Sequence, residues 1–476
     1  MRSIWKPTIP VQREFQLMTA IALGTFMLLL SACGGSGGST LQNPPPNTGS
    51  LQVNIGDAPS DRLVAFGMTI SSMSFTNSSG SSVPVLHSSV AVEMTHLMGT
   101  MQPLSLVKIP QGTYSQASIT MQNMAVAYMD PSTRQLVQKT VAGPMTAAVK
   151  FSPNLTVGSS PMIANFDMNM ASSVSIDSMG NITFTPTFTA AMNPGGTGSH
   201  DPENGGMRHM TGTVGSTSGS SFSMSMMESS SPITIGTNSN TQFEGLGGVG
   251  MMSNNLIVMV DADMQPDGSM MATTVRNVMS PGGVMSDGLV TSVVGNPTTQ
   301  LTLVAHDGAG NGMMPSNIGG AITVNMDSGT SFAIDSDGMD MSSLPFTPVF
   351  NGTTVFKGQR VEPDSSGKMM SGGGMGGIMG VGTITATDLR LEQQGLGGTV
   401  SAYSSNGSQA TFTLTIAPDS ALATLTGATT LTVFQQAGTE LHGITTVTNG
   451  SAVHVRGLLF FDAGAYKLVA SRIIAP

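Results

Sequence analysis

The chain is built on alternation. Leu51, Val53 and Ile55 are spaced by polar residues, and Phe66, Met68 and Ile70 by a glycine and a threonine. Ile119 with Met121, and Ile182 with Phe184 and Phe188, continue the pattern. A repeat of two puts apolar side chains on one face of an extended strand, whereas a helix needs a repeat of 3.6. Gly, Asn, Ser and Pro clusters break the runs where turns belong. The single short helical candidate is Val92 to Met98. The fold class read from this is all-β. Composition narrows it further. At 476 residues the chain has room for roughly three or four domains. Only 9% of it is Asp, Glu, Lys or Arg, against about a quarter in an ordinary soluble domain. One Cys excludes a disulfide scaffold and a Cys-rich metal centre. A net charge of −10 with 17 basic residues argues against a nucleic-acid partner.

The first 32 residues read as a targeting segment. Arg2, Lys6 and Arg13 precede an apolar run from Leu17 to Leu30, short for a membrane span but right for a signal-peptide core. The run ends in Leu30-Ser31-Ala32-Cys33 followed by Gly34-Gly35. This resembles the lipobox of bacterial lipoproteins, which implies that Cys33 is the lipidation site and residue one of the mature chain, anchored by three acyl chains. Gly34 in place of Asp implies export to the outer membrane. Residues 1–32 also carry Glu14, so their removal takes the net charge from −10 to −12. Residues 33–50 combine Gly/Ser with Pro44-Pro45-Pro46 and read as a flexible tether.

Residues 51–192 read as a β-sandwich-like domain. Gly56-Asp57-Ala58-Pro59, Pro110-Gln111-Gly112-Thr113-Tyr114, Phe166-Asp167 and Phe184-Thr185-Pro186 resemble the bacterial family catalogued as domain of unknown function 4382. The Gly-Thr-Tyr step is also similar to one in transthyretin-like sandwiches. Neither resemblance brings an activity with it. Residues 193–208 read as a linker by composition. A loose repeat follows, over 209–284, 285–395 and 396–476. Its units open on Gly212-Thr213-Val214, Gly288-Leu289-Val290 and Gly398-Thr399-Val400. Each offers five or six short strands, enough for a small barrel resembling an OB-fold. The pattern is similar to the family of domain of unknown function 5666, closely in the first unit and loosely in the other two. A Met/Gly-rich loop, Lys368 to Gly380, interrupts the second.

Several motifs invite chemistry. Gly245-Leu246-Gly247-Gly248-Val249-Gly250 spells G-x-G-x-x-G, but no helical pattern follows to point its dipole at a pyrophosphate, so it reads as a glycine-rich loop. Gly34-Gly35-Ser36-Gly37-Gly38 spells a nucleophile elbow inside the tether, with no sheet to strain it. Asp335, Asp337 and Asp340 flank Gly338 as in a calcium loop, yet Phe346 stands where the distal Glu would be, and Asp/Gly turns often join strands. No metal is assigned there; calcium stays open. Met is abundant, 39 residues, clustered at 224–227, 251–252, 270–271, 313–314 and 369–379. Thioethers suit Cu(I) or oxidant buffering, and they equally serve as adaptable core fillers. His200, His209, His442 and His454 show no ligand spacing.

No catalytic residue and no cofactor emerge. The expectation is a lipid-anchored outer-membrane protein without enzymatic activity, with a binding, adhesion or structural role toward a polysaccharide or an envelope protein. Soft-metal handling or oxidant buffering by the Met clusters, and an envelope hydrolase with an unrecognised site, are the alternatives.

Overall fold

The computed structural model describes residues 47–58, 61–97, 99–196, 202–226, 232–277, 287–305, 319–336, 339–364, 382–407 and 409–475. Cys33, the targeting segment and the tether up to residue 46 lie outside them, as do Asp337 and Met clusters 313–314 and 369–379. The described chain is all-β, as its alternation requires.

Twelve strands build the first part. β1 (Thr48–Ala58), β5 (Met101–Pro110), β9 (Met162–Asn169) and β12 (Phe188–Pro194) form one sheet in the order β12-β9-β1-β5, with β1 and β9 parallel. The facing sheet is centred on the long strands β2 (Leu63–Asn77) and β6 (Gly112–Met129). β3 (Ser82–Pro84) and β4 (Val90–Glu93) extend it beside β2, and β7 (Leu136–Val141) and β8 (Met145–Val157) beside β6. The Val92–Met98 helical expectation is largely replaced: Val92 and Glu93 belong to β4, and only a three-residue 3-10 turn, Thr95–Leu97, follows. β10 (Val174–Ile176) and β11 (Ile182–Phe184) make a small hairpin at one end.

Alternate residues of both sheets meet in a single sandwich core that includes Leu51, Val53, Ile55, Phe66, Met68, Ile70 and Met121. Phe75 packs on Tyr114, Phe151 and Phe166 at ring separations of 6.1, 5.1 and 5.9 Å. Buried Tyr114 explains the Gly-Thr-Tyr step: its hydroxyl donates to the Pro110 carbonyl across the turn, 2.6 Å away.

Three small barrels follow, and all three are wound alike. The first has β13 (Met207–Ser218), β14 (Ser221–Met226), β15 (Pro232–Gly236), β16 (Gln242–Glu244), β17 (Ile257–Met264) and β18 (Met270–Asn277). β13 pairs with β14, β14 with β15, β15 in parallel with β18, β18 with β17, and β17 with β13, closing the ring. β16 continues the third strand beside β18. The second has β19 (Gly288–Gly295), β20 (Thr298–Ala305), β21 (Ala321–Asn325), β22 (Ser331–Ile334), β23 (Arg360–Asp364), β24 (Gly382–Thr385) and β25 (Asp388–Leu391). Here the third strand is split into β21 and β22, and the fifth into β24 and β25, which pair with them in parallel. β25 pairs with β23 and β23 with β19. The third, β26 (Gln394–Asn406), β27 (Gln409–Thr415), β28 (Thr430–His442), β29 (Ala452–Asp462) and β30 (Ala465–Ile474), is a closed barrel in the order β26-β27-β28-β30-β29. Numbering five strands within each barrel, every ring runs 1-2-3-5-4, with the 3–5 pair parallel. That is OB-like connectivity.

The glycine that opens each repeat has a physical reason. A Cβ on Gly212, Gly288 or Gly398 would lie 2.8, 2.3 or 2.4 Å from the carbonyl oxygens of Ser225, Val304 and Thr415, respectively. In each case that carbonyl belongs to the residue paired with the one after the glycine: Thr213↔Ser225, Leu289↔Val304 and Thr399↔Thr415. Only glycine lets the second strand come this close as the first one coils. Val214, Val290 and Val400, two residues on, face the three cores.

Methionine fills cores throughout. Met68, Met121 and Met168 are fully buried in the sandwich, and Met224, Met252, Met264 and Met270 line the first barrel. Residues 47–476 form one compact unit. Ile163 of the sandwich joins the first barrel's core, and Leu458, Phe460 and Val469 of the third barrel join the second's. The stretch 193–208 includes the end of β12 and a 3-10 turn, Pro202–Asn204. The Glu203 carbonyl accepts from Asn165 and Asn193 of the sandwich, both at 2.9 Å.

Candidate functional site

An aromatic outcrop on the third barrel stands out. β29 ends in Phe460-Phe461-Asp462, and β30 begins Ala465-Tyr466-Lys467, joined by the Ala463-Gly464 turn. Two successive Phe residues on a strand must face opposite ways. Phe460 takes the buried side at 2% exposure, leaving Phe461 outside at 45%. Among the described residues Phe461 is the one exposed aromatic. Its ring lies 4.8 Å from Tyr466 and 6.0 Å from Phe356, and Tyr466 lies 5.5 Å from Phe356. These three tilted rings make a ledge. On the opposite face of the hairpin, Lys467 pairs with the Asp462 carboxylate and lies over the Phe346 ring at 4.4 Å. Phe346 in turn packs on Phe434 and Phe460. In OB-folds the loop between strands four and five borders the ligand face, and this hairpin is that loop.

Buried carboxylates form a second group. Glu362 on β23 and Glu392 just past β25 share one outer face of the second barrel, and the Glu392 N–H donates to the Arg360 carbonyl at 3.0 Å. Burial, with the Asp287 carboxylate adding to it, raises Glu362 to about 7; burial and its acidic neighbours Glu362 and Asp335 raise Glu392 well above the carboxylate range. Arg360, beside them, makes an ion pair with Asp287. This pair can hold and pass a proton near neutral pH.

In the sandwich the structure brings two sequence motifs together. Gly56 pairs with Asp167 across the parallel β1–β9 ladder, setting Asp57 and Asp167 on neighbouring strands. Asp57 continues the inward-facing side of β1, 4% exposed, and burial raises it well above its ordinary value, Asp167 and Glu93 adding repulsion.

The other sequence candidates disperse. Asp340 accepts from the Ser342 N–H and hydroxyl at 2.9 and 2.6 Å, bonds that hold its carboxyl below the usual range. Asp335 anchors its backbone N–H on Leu391. No group of three Asp, Glu, His or Cys side chains suited to a metal occurs among the described residues. The G-x-G-x-x-G run is a turn, with Gly248 at φ 121° followed by three 3-10 residues, Val249–Met251. Met251 is exposed, whereas its neighbour Met252 is in the core. His442 Nδ1 lies 3.3 Å from Glu203, and His454 is held neutral by burial. His200 and the side chain of His209 lie outside the described residues.

Residues 211–276 match the family described as Domain of unknown function (DUF5666). The matched range is the first barrel. No curated protein matches the chain. Among solved structures, the single-stranded DNA binding protein from Thermus aquaticus is similar at 13% identity, over 41% of this chain and 92% of its own, with a TM-score of 0.15. Drosophila Unr CSD456 is similar at 10% identity, over 55% and 94%, with a TM-score of 0.12. At such scores the barrel assignment rests on the strand pairings themselves.

Proposed function

We propose that this is a non-enzymatic cell-envelope binding protein that holds a polysaccharide chain on the ledge formed by Phe356, Phe461 and Tyr466. The observation that carries the reading is the exposed Phe461, set on a rigid hairpin within 6.0 Å of two further rings. Sugar rings present flat C–H faces that pack on aromatic rings. A nucleic acid would use the same rings, but it also needs a basic track. The chain carries 17 bases against 27 acids. In this reading Cys33 carries the lipid anchor, residues 34–50 are the tether to the outer membrane, and the sandwich belongs with the domain 4382 family it resembles. A glycan array tests the reading: the Phe461→Ala and Tyr466→Ala variants should each lose the binding that the parent chain shows. Palmitate incorporation, absent after Cys33→Ala, tests the anchor.

A second reading is supported by the Glu362–Glu392 pair, whose raised affinity for a proton suits general acid–base hydrolysis. Turnover of generic glycoside, ester or peptide substrates that disappears in Glu362→Gln would favour it over the binding reading.

A further inference from the structure

Beside the apolar contact of Val64 and Met129 with Ala421, the junction between the sandwich and the third barrel carries a polar seam. Asp61, in the loop after β1, accepts the Gly397 N–H of β26 with both carboxylate oxygens, at 2.9 and 2.8 Å. Its carbonyl accepts the Ala421 N–H at 2.8 Å, at the start of the short helix α1 (Ala421–Thr426). On the barrel side of Gly397 lies His454. A methyl group on Gly397 would meet Asp61 Oδ2 and His454 Nδ1 at 2.6 Å each, so the two side chains close on one glycine. His454 Nδ1 is buried without a hydrogen-bond partner. The remaining charged groups around Asp61 are Asp57 near the end of β1, Asp419 of the barrel, and Arg62. Arg62 gives Asp61 little, because its guanidinium reaches toward Asp419 at 3.7 Å and donates to the Ile176 carbonyl. A carboxylate is thus enclosed at a domain junction with one N–H donor and no cation of its own.

We propose that this junction is a proton-controlled joint, closed in mildly acidic medium and loosened in neutral to alkaline medium, with Asp61 as the residue that carries the proton. Burial, with a smaller push from Asp419, raises Asp61 to about 6, only partly offset by the Gly397 N–H. The sign follows from linkage. A folded-state value above the free one favours the closed joint at low pH, and that preference is lost as pH rises through about 6. Burial pushes His454 the other way, so charging it in acid works against the joint. A separate clamp marks the other end of the junction and keeps the barrel tethered while Asp61 lets go. There Arg472 donates to Glu440 at 2.6 Å and to the Gly99 carbonyl at 3.1 Å, with Glu203 at 3.4 Å.

Amide hydrogen exchange on the full chain, corrected for intrinsic rates, tests this at pH 5 and pH 8. The Gly397 and Ala421 amides should lose about tenfold in protection between the two, the change that a shift from about 4 to about 6 provides over that interval. Amides inside the third barrel, such as Phe412 and Val433, should hold theirs and serve as the internal control. In Asp61→Asn, neutral at both values, the seam amides should stay protected at pH 8. Seam protection that is flat with pH, that falls in parallel with the barrel interior, or that falls equally in Asp61→Asn would overturn the joint. Should Asp61→Asn fail to fold, the wild-type comparison of seam and interior amides still decides.

Discussion

Single residues carry much of what makes this fold specific. Gly288 is an example in which two effects compete. Alanine would gain about 0.5–1 kcal/mol from reduced unfolded-state freedom, but its Cβ would stand 2.3 Å from the Val304 carbonyl. The clash dominates, so Gly288→Ala should cost about 1–3 kcal/mol, read as a lowered urea midpoint. Phe166, fully buried between Phe75 and Phe151, should cost about 3–5 kcal/mol on truncation to Ala. The repeat's opening glycines were visible in the sequence as letters; their cause was not, because the opposing carbonyl lies on another strand. The ledge was not legible: β29 buries both faces, Leu458 and Phe460 toward the second barrel and Leu459 toward its own, and only its end leaves Phe461 exposed. Asp57 and Asp167 each stood out in short motifs, yet their adjacency needs the parallel β1–β9 pairing, which spans more than a hundred residues of chain.

Pairings decide the behaviour of elements. β23 and β25 bring Glu362 and Glu392 onto one buried face with the Arg360–Asp287 ion pair. Glu362 is raised to about 7, so the sign is the same as for Asp61: stability is greatest below its free value and is lost as pH rises through about 7. Thermal midpoints measured from pH 5 to 8.5 should fall, and Glu362→Gln should flatten that slope. Removing one partner of the ion pair, by Asp287→Ala, leaves the largely buried guanidinium with the Glu392 carboxylate and the Gln393 carbonyl and should cost about 1–3 kcal/mol; a denaturant midpoint equal to the parent's would contradict this. Strand alternation made the elements legible. The splitting of third and fifth strands in the second barrel was not, since β24 and β25 are separated by two residues that local pattern alone does not mark.

At the scale of the molecule, one sandwich and three like-wound barrels form a body whose seams combine shared apolar cores with polar side-chain contacts. Of the few charges present, Asp61, Glu203 and Arg472 join one part of the body to another. Binding on the third barrel should be separable from folding at Phe461, which is exposed, whereas half-buried Tyr466 also packs against the barrel's core. The decisive measurement is a titration of the full chain with the polysaccharide selected from a glycan array, repeated with Phe461→Ala and Tyr466→Ala. The account predicts that each variant binds about ten- to a hundredfold more weakly, the range of an aromatic anchor, with the melting temperature of Phe461→Ala unchanged. Equal affinity in the parent chain and both variants would contradict it.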